Sequence, residues 1–501
     1  MDPVASNPVT APVPPHCITE IEATPGLEEI QEKARARIEE ERKAFSEDAQ
    51  NQGKSSPEAD PMTNFLLDCA ESGQIGDARV LVYLFRDCFC LDHASGRWYQ
   101  WQGHYWVEDV IFNIVAEVDK VIEIYEKEAK KWAWIKIKEK KNRNDEAAAE
   151  AGRNEDVYLK KISKLQNKTY RLNVIYLSAV GTNSLGITGN EWDQHPYLIA
   201  CPNGIIDLRD DQFRDGRQED YVKTVCPTEW LGHDEPAPRW ERFLIEIFNG
   251  SREIISYLNK ALGYGIAGLT IEHILIILWG IGRNGKGVLI ETLFHVLGPL
   301  AGPIQSEMLL EQKNPRSSAA PSPDLISLRG KRLVSASETD EGRRLNAAKV
   351  KYLVGGDTIL AREPYGRREV SFRPSHTLLL LTNHRPKVSA DDFALWNRLH
   401  LVPFTLSFVD HPAEPHHRQR DPQLLESLKE EASGILAWLV RGFKEYKIGE
   451  VFDQRNESTK LLLAIKTFHE NVIRYTESFT SLPLQLKRDA AQTLIQKILH
   501  C

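Results

Sequence analysis

The spacing of apolar positions divides this chain into regions of different kind. Up to about residue 62, apolar side chains are sparse among Pro, Ala, Glu and Ser, and Leu27 to Asp48 reads as a charged helix with little to bury. Burial there cannot offset the entropy of ordering, which predicts a tail carrying one solvated helix. From Thr63 the apolar positions cluster. Phe65-Leu66-Leu67 opens a helix that Ala78 to Phe85 continues. Between Arg97 and Glu108, Trp98, Trp101, Tyr105 and Trp106 surround Gly103, the pattern of a hairpin whose aromatics fill a small β core rather than stack on bases. Residues 112–170 read as largely helical. Their lysine-rich stretch, Lys127 to Lys141, reads as a solvated face. Short strands and turns return over 192–240, with Asn203-Gly204 as a turn signal.

Residues 271–408 alternate buried strands with helices and loops, as an α/β nucleotide-binding domain does. An amphipathic helix pair follows over 421–447, and 455–501 reads as helical without recognisable chemistry. The expected layout is a flexible tail at 1–62, a mixed α+β accessory domain at 63–238, an α/β core at 239–410 and a helical region at 411–501.

Composition narrows the class without naming it. The chain has 501 residues, 42% hydrophobic and 27% charged, with a net charge of −8. These values fit a soluble globular protein of two or three domains, and argue against a wholly disordered, collagen-like or membrane chain. The longest apolar run, Ile274 to Trp279, is far too short to span a bilayer, and the N-terminus lacks a secretory pattern. The seven cysteines are scattered and contain no C-x-x-C, so free thiols in a cytoplasmic setting are expected. The mild acidity does not advertise nucleic-acid binding, although a ring or channel can concentrate cations locally.

The sharpest chemical signal follows Ile274-Leu-Ile-Ile-Leu-Trp279. A loop, Gly280-Ile-Gly282-Arg-Asn284-Gly285-Lys286-Gly287-Val288, leads into an amphipathic helix. Strand, glycine loop and helix are the context a phosphate-binding loop requires. Glycines let backbone N–H groups converge on a phosphate, the helix N-terminus adds partial positive charge, and Lys286 reaches the β- and γ-phosphates. Gly280, Gly282, Asn284, Gly285, Lys286, Gly287 and Val288 form the candidate nucleotide-binding set. Gly287 stands where the G-x-x-x-x-G-K-[ST] pattern places a hydroxyl for Mg²⁺.

Further candidates lie downstream. Leu333 to Ser337 reads as a buried strand ending in Glu338, whose carboxylate can bind Mg²⁺, directly or through water, or polarise an attacking water. Residues 358–363 and 369–373 read as two strands around a Tyr-Gly-Arg-Arg tip, so that Arg367 and Arg368, with Arg362 and Lys351 nearby, are candidates for sequence-independent contacts to DNA phosphates. Thr377 to Thr382 is a second buried strand, and Asn383 at its end can hydrogen-bond a γ-phosphate or attacking water. Arg398 precedes another strand; taken alone, it reads as a structural salt-bridge residue.

In this order, the motifs resemble the superfamily III helicases of the phage and plasmid primase–helicase group, related to the poxvirus NTPase. Those carrying the resemblance are the loop at 280–286, the strand ending in Glu338, Lys351-x-x-x-Gly-Gly-Asp357, Thr382-Asn383-x-x-Pro386 and Trp396-x-Arg398 before Val402-Pro-Phe404. Upstream Gly103-His-Tyr-Trp106, Asn203-Gly-Ile-Ile-Asp-Leu208 and Leu262 to Gly268 resemble that group's accessory domain, and Glu431 to Trp438 resembles its post-core helix. The resemblance spans about residues 65–447. It implies an AAA+-like core in a ring, usually a hexamer, with ATP and Mg²⁺ between subunits. Lys286, Glu338 and Asn383 would act from one side and Arg398 from the next as an arginine finger. The hairpin at 358–373 would carry single-stranded DNA or a forked duplex, typically 3′→5′. A primase domain, common among relatives, is not expected ahead of the accessory domain, so a separate primase or loading protein would serve it.

The expectation is therefore a cytoplasmic ATP-dependent DNA helicase, of a bacterium or phage-infected host, replicating a phage, prophage or plasmid-like element without membrane partners. One rival is a ring-forming DNA-binding initiator with weak or absent ATPase activity, suggested by Gly287. A second is a P-loop kinase of small molecules, which DNA-stimulated turnover would exclude.

Overall fold

The computed structural model describes residues 61–312, 322–338, 343–362, 369–384, 388 and 392–448. Of these, 61–103 and 107–189 form one compact unit, and 104–106 with those from 190 onward form a second.

The first unit is built from helices α1 (Pro61–Glu71) and α2 (Gly73–Phe85), strands β1 (Phe89–Asp92) and β2 (Arg97–Trp101), helices α3 (Asn113–Lys141), α4 (Asp145–Leu165) and α5 (Lys168–Ser178), and strand β3 (Gly186–Ile187). Asparagines start two of the helices: Asn144 accepts from the Ala147 N–H, and Asn167 from those of Thr169 and Tyr170. Leu81, Val118, Tyr125, Tyr158 and Leu165 share one core. The lysine-rich end of α3 is mostly exposed; Lys136 pairs with Glu155 at 3.0 Å and Lys138 lies over the Trp134 ring. Tyr99 and Trp101 are buried, which fits packing rather than base stacking.

Inside this apolar core sits an ion pair that the sequence reading missed. Asp77 is fully buried and Lys161 is 6% exposed. The Lys161 Nζ lies 2.9 Å from Asp77 Oδ2 and 2.6 Å from the Gly73 carbonyl. Tyr125 and Tyr170 donate their hydroxyls to the same carboxylate at 2.8 and 2.7 Å. The desolvation of both charges is thus met by a closed set of hydrogen bonds.

The second unit opens with an antiparallel sheet, β4 (Leu198–Cys201), β5 (Gly204–Asp207) and β6 (Gln212–Arg214). Pro202 and Asn203 form the β4–β5 turn, because Cys201 pairs with Gly204. Asn203 is fixed there by hydrogen bonds to both the N–H and the carbonyl of Trp230. Then follow α6 (Pro238–Ile247), α7 (Arg252–Ile266), β7 (Leu275–Trp279), α8 (Lys286–Leu297), β8 (Ala301–Ile304), β9 (Leu333–Glu338), α9 (Ala347–Val354), the strands β10 (Ile359–Arg362) and β11 (Glu369–Phe372), β12 (Thr377–Thr382), α10 (Phe393–Trp396), β13 (Leu399–Pro403), α11 (Leu424–Glu430) and α12 (Ala432–Ile448).

Five of these strands form a wholly parallel sheet in the order β13-β7-β12-β9-β8. Parallel sheets are covered on both faces, which is why β7 and β12 read as unbroken apolar runs. On β7, Ile276 and Leu278 join the core made with α6, α7, α8 and α12, while Leu275 and Ile277 join the one made with α9 and the β10–β11 hairpin.

The units divide at 189/190 rather than at the expected 238/239. Ile199, Cys201 and Ile206 of β4 and β5 share a core with α6, α7 and α8, which draws residues 190–238 into the second unit. Ile435, Leu436 and Leu439 of α12 join the same core. Of the expected tail at 1–62, residues 1–60 lie outside the described residues, while Pro61 and Met62 begin α1 rather than end a tail; the expected helices at 455–501 also lie outside the described residues. No helix among the described residues is long and apolar enough to cross a membrane, and the five described cysteines are free thiols.

Candidate functional site

The carboxyl ends of β7, β12 and β9 lie level in the sheet: Trp279 pairs with Thr382, and Thr382 with Glu338. Ligands of parallel α/β sheets bind outside this end of the strands. The glycine loop begins there. The Gly280 N–H donates to the Thr382 carbonyl at 3.2 Å, and Gly285, at φ +90°, caps the first turn of α8. A Cβ at Gly280 would lie 2.2 Å from the Phe404 carbonyl oxygen, and one at Gly285 would lie 2.7 Å from Ile247. Those two positions require glycine on steric grounds. Gly282 and Gly287 instead face open space, with nothing within 4 Å of an added Cβ. Arg283 takes a left-handed conformation, φ 60°, and its carbonyl accepts from the Phe408 N–H at 2.7 Å.

Lys286 is the first residue of α8 and is only 6% exposed. Its Nζ donates to the Gly280 carbonyl and to Asn383 Oδ1, the latter at 3.3 Å. No described carboxylate pairs with it. Burial lowers its pKa to about 8. Asn284 is buried as well. Its Oδ1 is 3.5 Å from the Lys286 N–H, and its Nδ2 has no partner among the described residues. The loop from Gly282 to Val288, with Ser337, Leu381, Thr382 and Asn383, lines a cavity of about 410 Å³. A buried ammonium and an amide donor, both without a neutralising or accepting partner among the described residues, and a helix N-terminus converge on this space. That donor set fits a polyphosphate.

The structure therefore brings Gly282, Asn284, Gly285, Lys286, Gly287, Val288 and Asn383 together. Gly280 lies beneath them as the acceptor for Lys286. For Glu338 the backbone register puts the residue beside Thr382; its side chain lies outside the described set. Arg398 lies elsewhere. It precedes β13, whose Leu399 pairs with Leu275, so it sits at the opposite strand ends from the loop, about 16 Å away along five residues of strand. Its Nη1 donates to the Ala394 carbonyl, while its Nε has no partner among the described residues.

Lys351 differs from its sequence reading. Its Nζ lies 2.7 and 2.8 Å from the two oxygens of Asp392, which caps α10 by accepting from the Leu395 N–H. This lysine is therefore engaged within the chain rather than held free for a phosphate. The two strands of the expected hairpin are present, Ile359 pairing with Phe372 and Arg362 with Glu369, and Arg362 is exposed. Arg367 and Arg368, at the tip, lie outside the described residues. Sequence reasoning missed Ser337 and Thr382 as lining residues. Both stood inside quoted motifs, but no spacing rule distinguishes them from ordinary strand residues.

Residues 78–249 match the family described as D5 N terminal like. The chain is 27% identical over 387 residues to a protein of Acanthamoeba polyphaga mimivirus named "Putative helicase", covering 74% of this chain and 39% of that protein. It is 22% identical over 247 residues to Primase D5 of Fowlpox virus, covering 46% and 30%. It thus spans about two fifths or less of the length of these relatives. A structural likeness to the apo C terminal region of NrS-1 covers 48% of this chain and 53% of that one at 14% identity, with a TM-score of 0.34. The chain is similar, then, to D5-type viral proteins named as helicases and as a primase.

Proposed function

We propose that this chain is an ATP-dependent DNA helicase of a virus, phage, prophage or plasmid-like element, working as a ring, a hexamer by resemblance, and moving 3′→5′ on single-stranded DNA. The observation that carries this reading is Lys286, buried beside the cavity with no carboxylate among the described residues to neutralise it. The similarity to viral proteins named as helicases supports the DNA-directed part. Unwinding needs a motor because each base-pair step costs about 1.4 kcal/mol to open.

In this reading, backbone N–H groups of residues 282–287 cradle the triphosphate and Lys286 holds its outer phosphates. Asn383, already bonded to Lys286, positions the γ-phosphate or the attacking water, and Glu338 activates that water or binds the metal. Mg²⁺, when bound, neutralises charge on the β- and γ-oxygens. Arg398 acts on the site of a neighbouring copy. Its distance from the loop within one chain and its unpartnered Nε support that role. Arg362, Arg367 and Arg368 contact DNA phosphates.

Measured ATP turnover should rise on adding single-stranded DNA, and Lys286→Ala should abolish it. Mass measurement with a non-hydrolysable nucleotide and DNA should find a ring. The open space at Gly287 favours a second reading, a ring-forming initiator with an idle nucleotide site. DNA binding without any turnover would select it.

A further inference from the structure

The residue after the loop lysine usually supplies a hydroxyl for Mg²⁺, and here it is glycine. The described lining of the cavity offers two other hydroxyls. Thr382 is buried, and its hydroxyl is already committed to the carbonyl and the N–H of His384. Ser337 is different. It lies on β9, one residue before the strand's carboxyl end, and is exposed. Among the described residues nothing hydrogen-bonds its hydroxyl. Ser337 and Gly287 line the same cavity, and the space beside Gly287 is open.

We propose that Ser337 supplies the metal-binding hydroxyl that Gly287 lacks, so that the ligand has moved from the phosphate loop to the neighbouring strand. The proposal rests on the nucleotide reading of this cavity. A neutral hydroxyl is a modest ligand. Mg²⁺ keeps several waters and takes much of its charge compensation from substrate phosphates. Ser337 therefore sets how much Mg²⁺ is needed, not whether ATP binds. Gly287 has no positive φ and no neighbour within 4 Å of an added Cβ, so a serine there should be accepted and should make Ser337 dispensable.

The test is ATP binding to the full chain, followed by calorimetry in EDTA and across a Mg²⁺ titration. Ser337→Ala should leave binding in EDTA unchanged and raise the half-saturating Mg²⁺ concentration about 5–10-fold, on the order of 1 kcal/mol. Adding Gly287→Ser to Ser337→Ala should return that concentration to the wild-type value. Ser337→Cys should raise the Mg²⁺ requirement as Ser337→Ala does but leave the requirement for the softer Mn²⁺ near its wild-type value, a signature that a packing role would not produce. An unchanged Mg²⁺ requirement in Ser337→Ala, with ATP still bound, would overturn the proposal and leave the nucleotide reading standing. If the wild-type chain binds no ATP in EDTA or in Mg²⁺, both fail. Should Ser337→Ala not fold, the Ser337→Cys metal preference decides alone.

Discussion

Lys161 and Lys286 are equally hidden, each 6% exposed, yet their surroundings are opposite. Lys161 meets a carboxylate, a backbone carbonyl and a tyrosine hydroxyl. Lys286 meets a carbonyl and one amide oxygen. The first is a finished ion pair, and the second is a charge that no described carboxylate meets. Burial of a lysine thus does not by itself distinguish structure from function; the presence or absence of a neutralising group does.

The largest effect is expected on the finished side. Lys161→Met leaves Asp77 buried and unpaired, and should destabilise the first unit by about 3–5 kcal/mol, read as a lower midpoint in urea unfolding. Lys286→Met removes a charge that burial disfavours and that no described carboxylate neutralises. The apoprotein should gain stability, on the order of 1–3 kcal/mol for a pKa lowered from 10.5 to about 8, while losing ATP binding. If both substitutions destabilise the apoprotein alike, the contrast between the two lysines is void.

Titration sharpens the same contrast. The unfolded chain holds the Lys286 proton up to about pH 10.5 and the folded chain only up to about 8. Between those values the unfolded state binds more protons, so the contribution of this residue to apoprotein stability rises with pH. Phosphate binding needs the protonated form and runs the other way. ATP affinity should fall about tenfold between pH 7 and 9. The Lys286→Met variant should show neither slope.

Much of the candidate phosphate site was legible because it is local. A strand, a glycine loop and a helix occupy consecutive residues, and steric need fixes Gly280 and Gly285. Asn383 was legible too, since a buried strand ending in a polar residue delivers that residue to the sheet's carboxyl edge. The Asp77–Lys161 pair was not, because 84 residues separate its members and each alone reads as an ordinary charged helix residue. The 189/190 division escaped for a similar reason. Strands β4 and β5 read as part of the upstream domain, and only their shared packing with α6, α7 and α8 assigns them downstream.

The smallest expected effect concerns Lys351, where pairing conflicts with the sequence reading. Hydrogen bonding to this ammonium holds the Asp392 carboxyl below its usual pKa. A lowered carboxylate pKa contributes stability above its unfolded value, and that contribution is lost as pH falls through the folded one. The pair is partly exposed, 34% and 22%, so its worth is about 0.5–1 kcal/mol. Asp392→Asn should cost that amount near neutral pH and flatten the acid limb of the stability curve. It also frees Lys351. If that lysine serves DNA once released, the variant should bind single-stranded DNA more tightly at low salt and lose the gain as salt rises. If its role is to hold the cap of α10, DNA affinity will stay at the wild-type value while stability drops. Because Asp392 caps the short helix leading to Arg398, the second outcome would make Lys351 a positioning residue for that arginine.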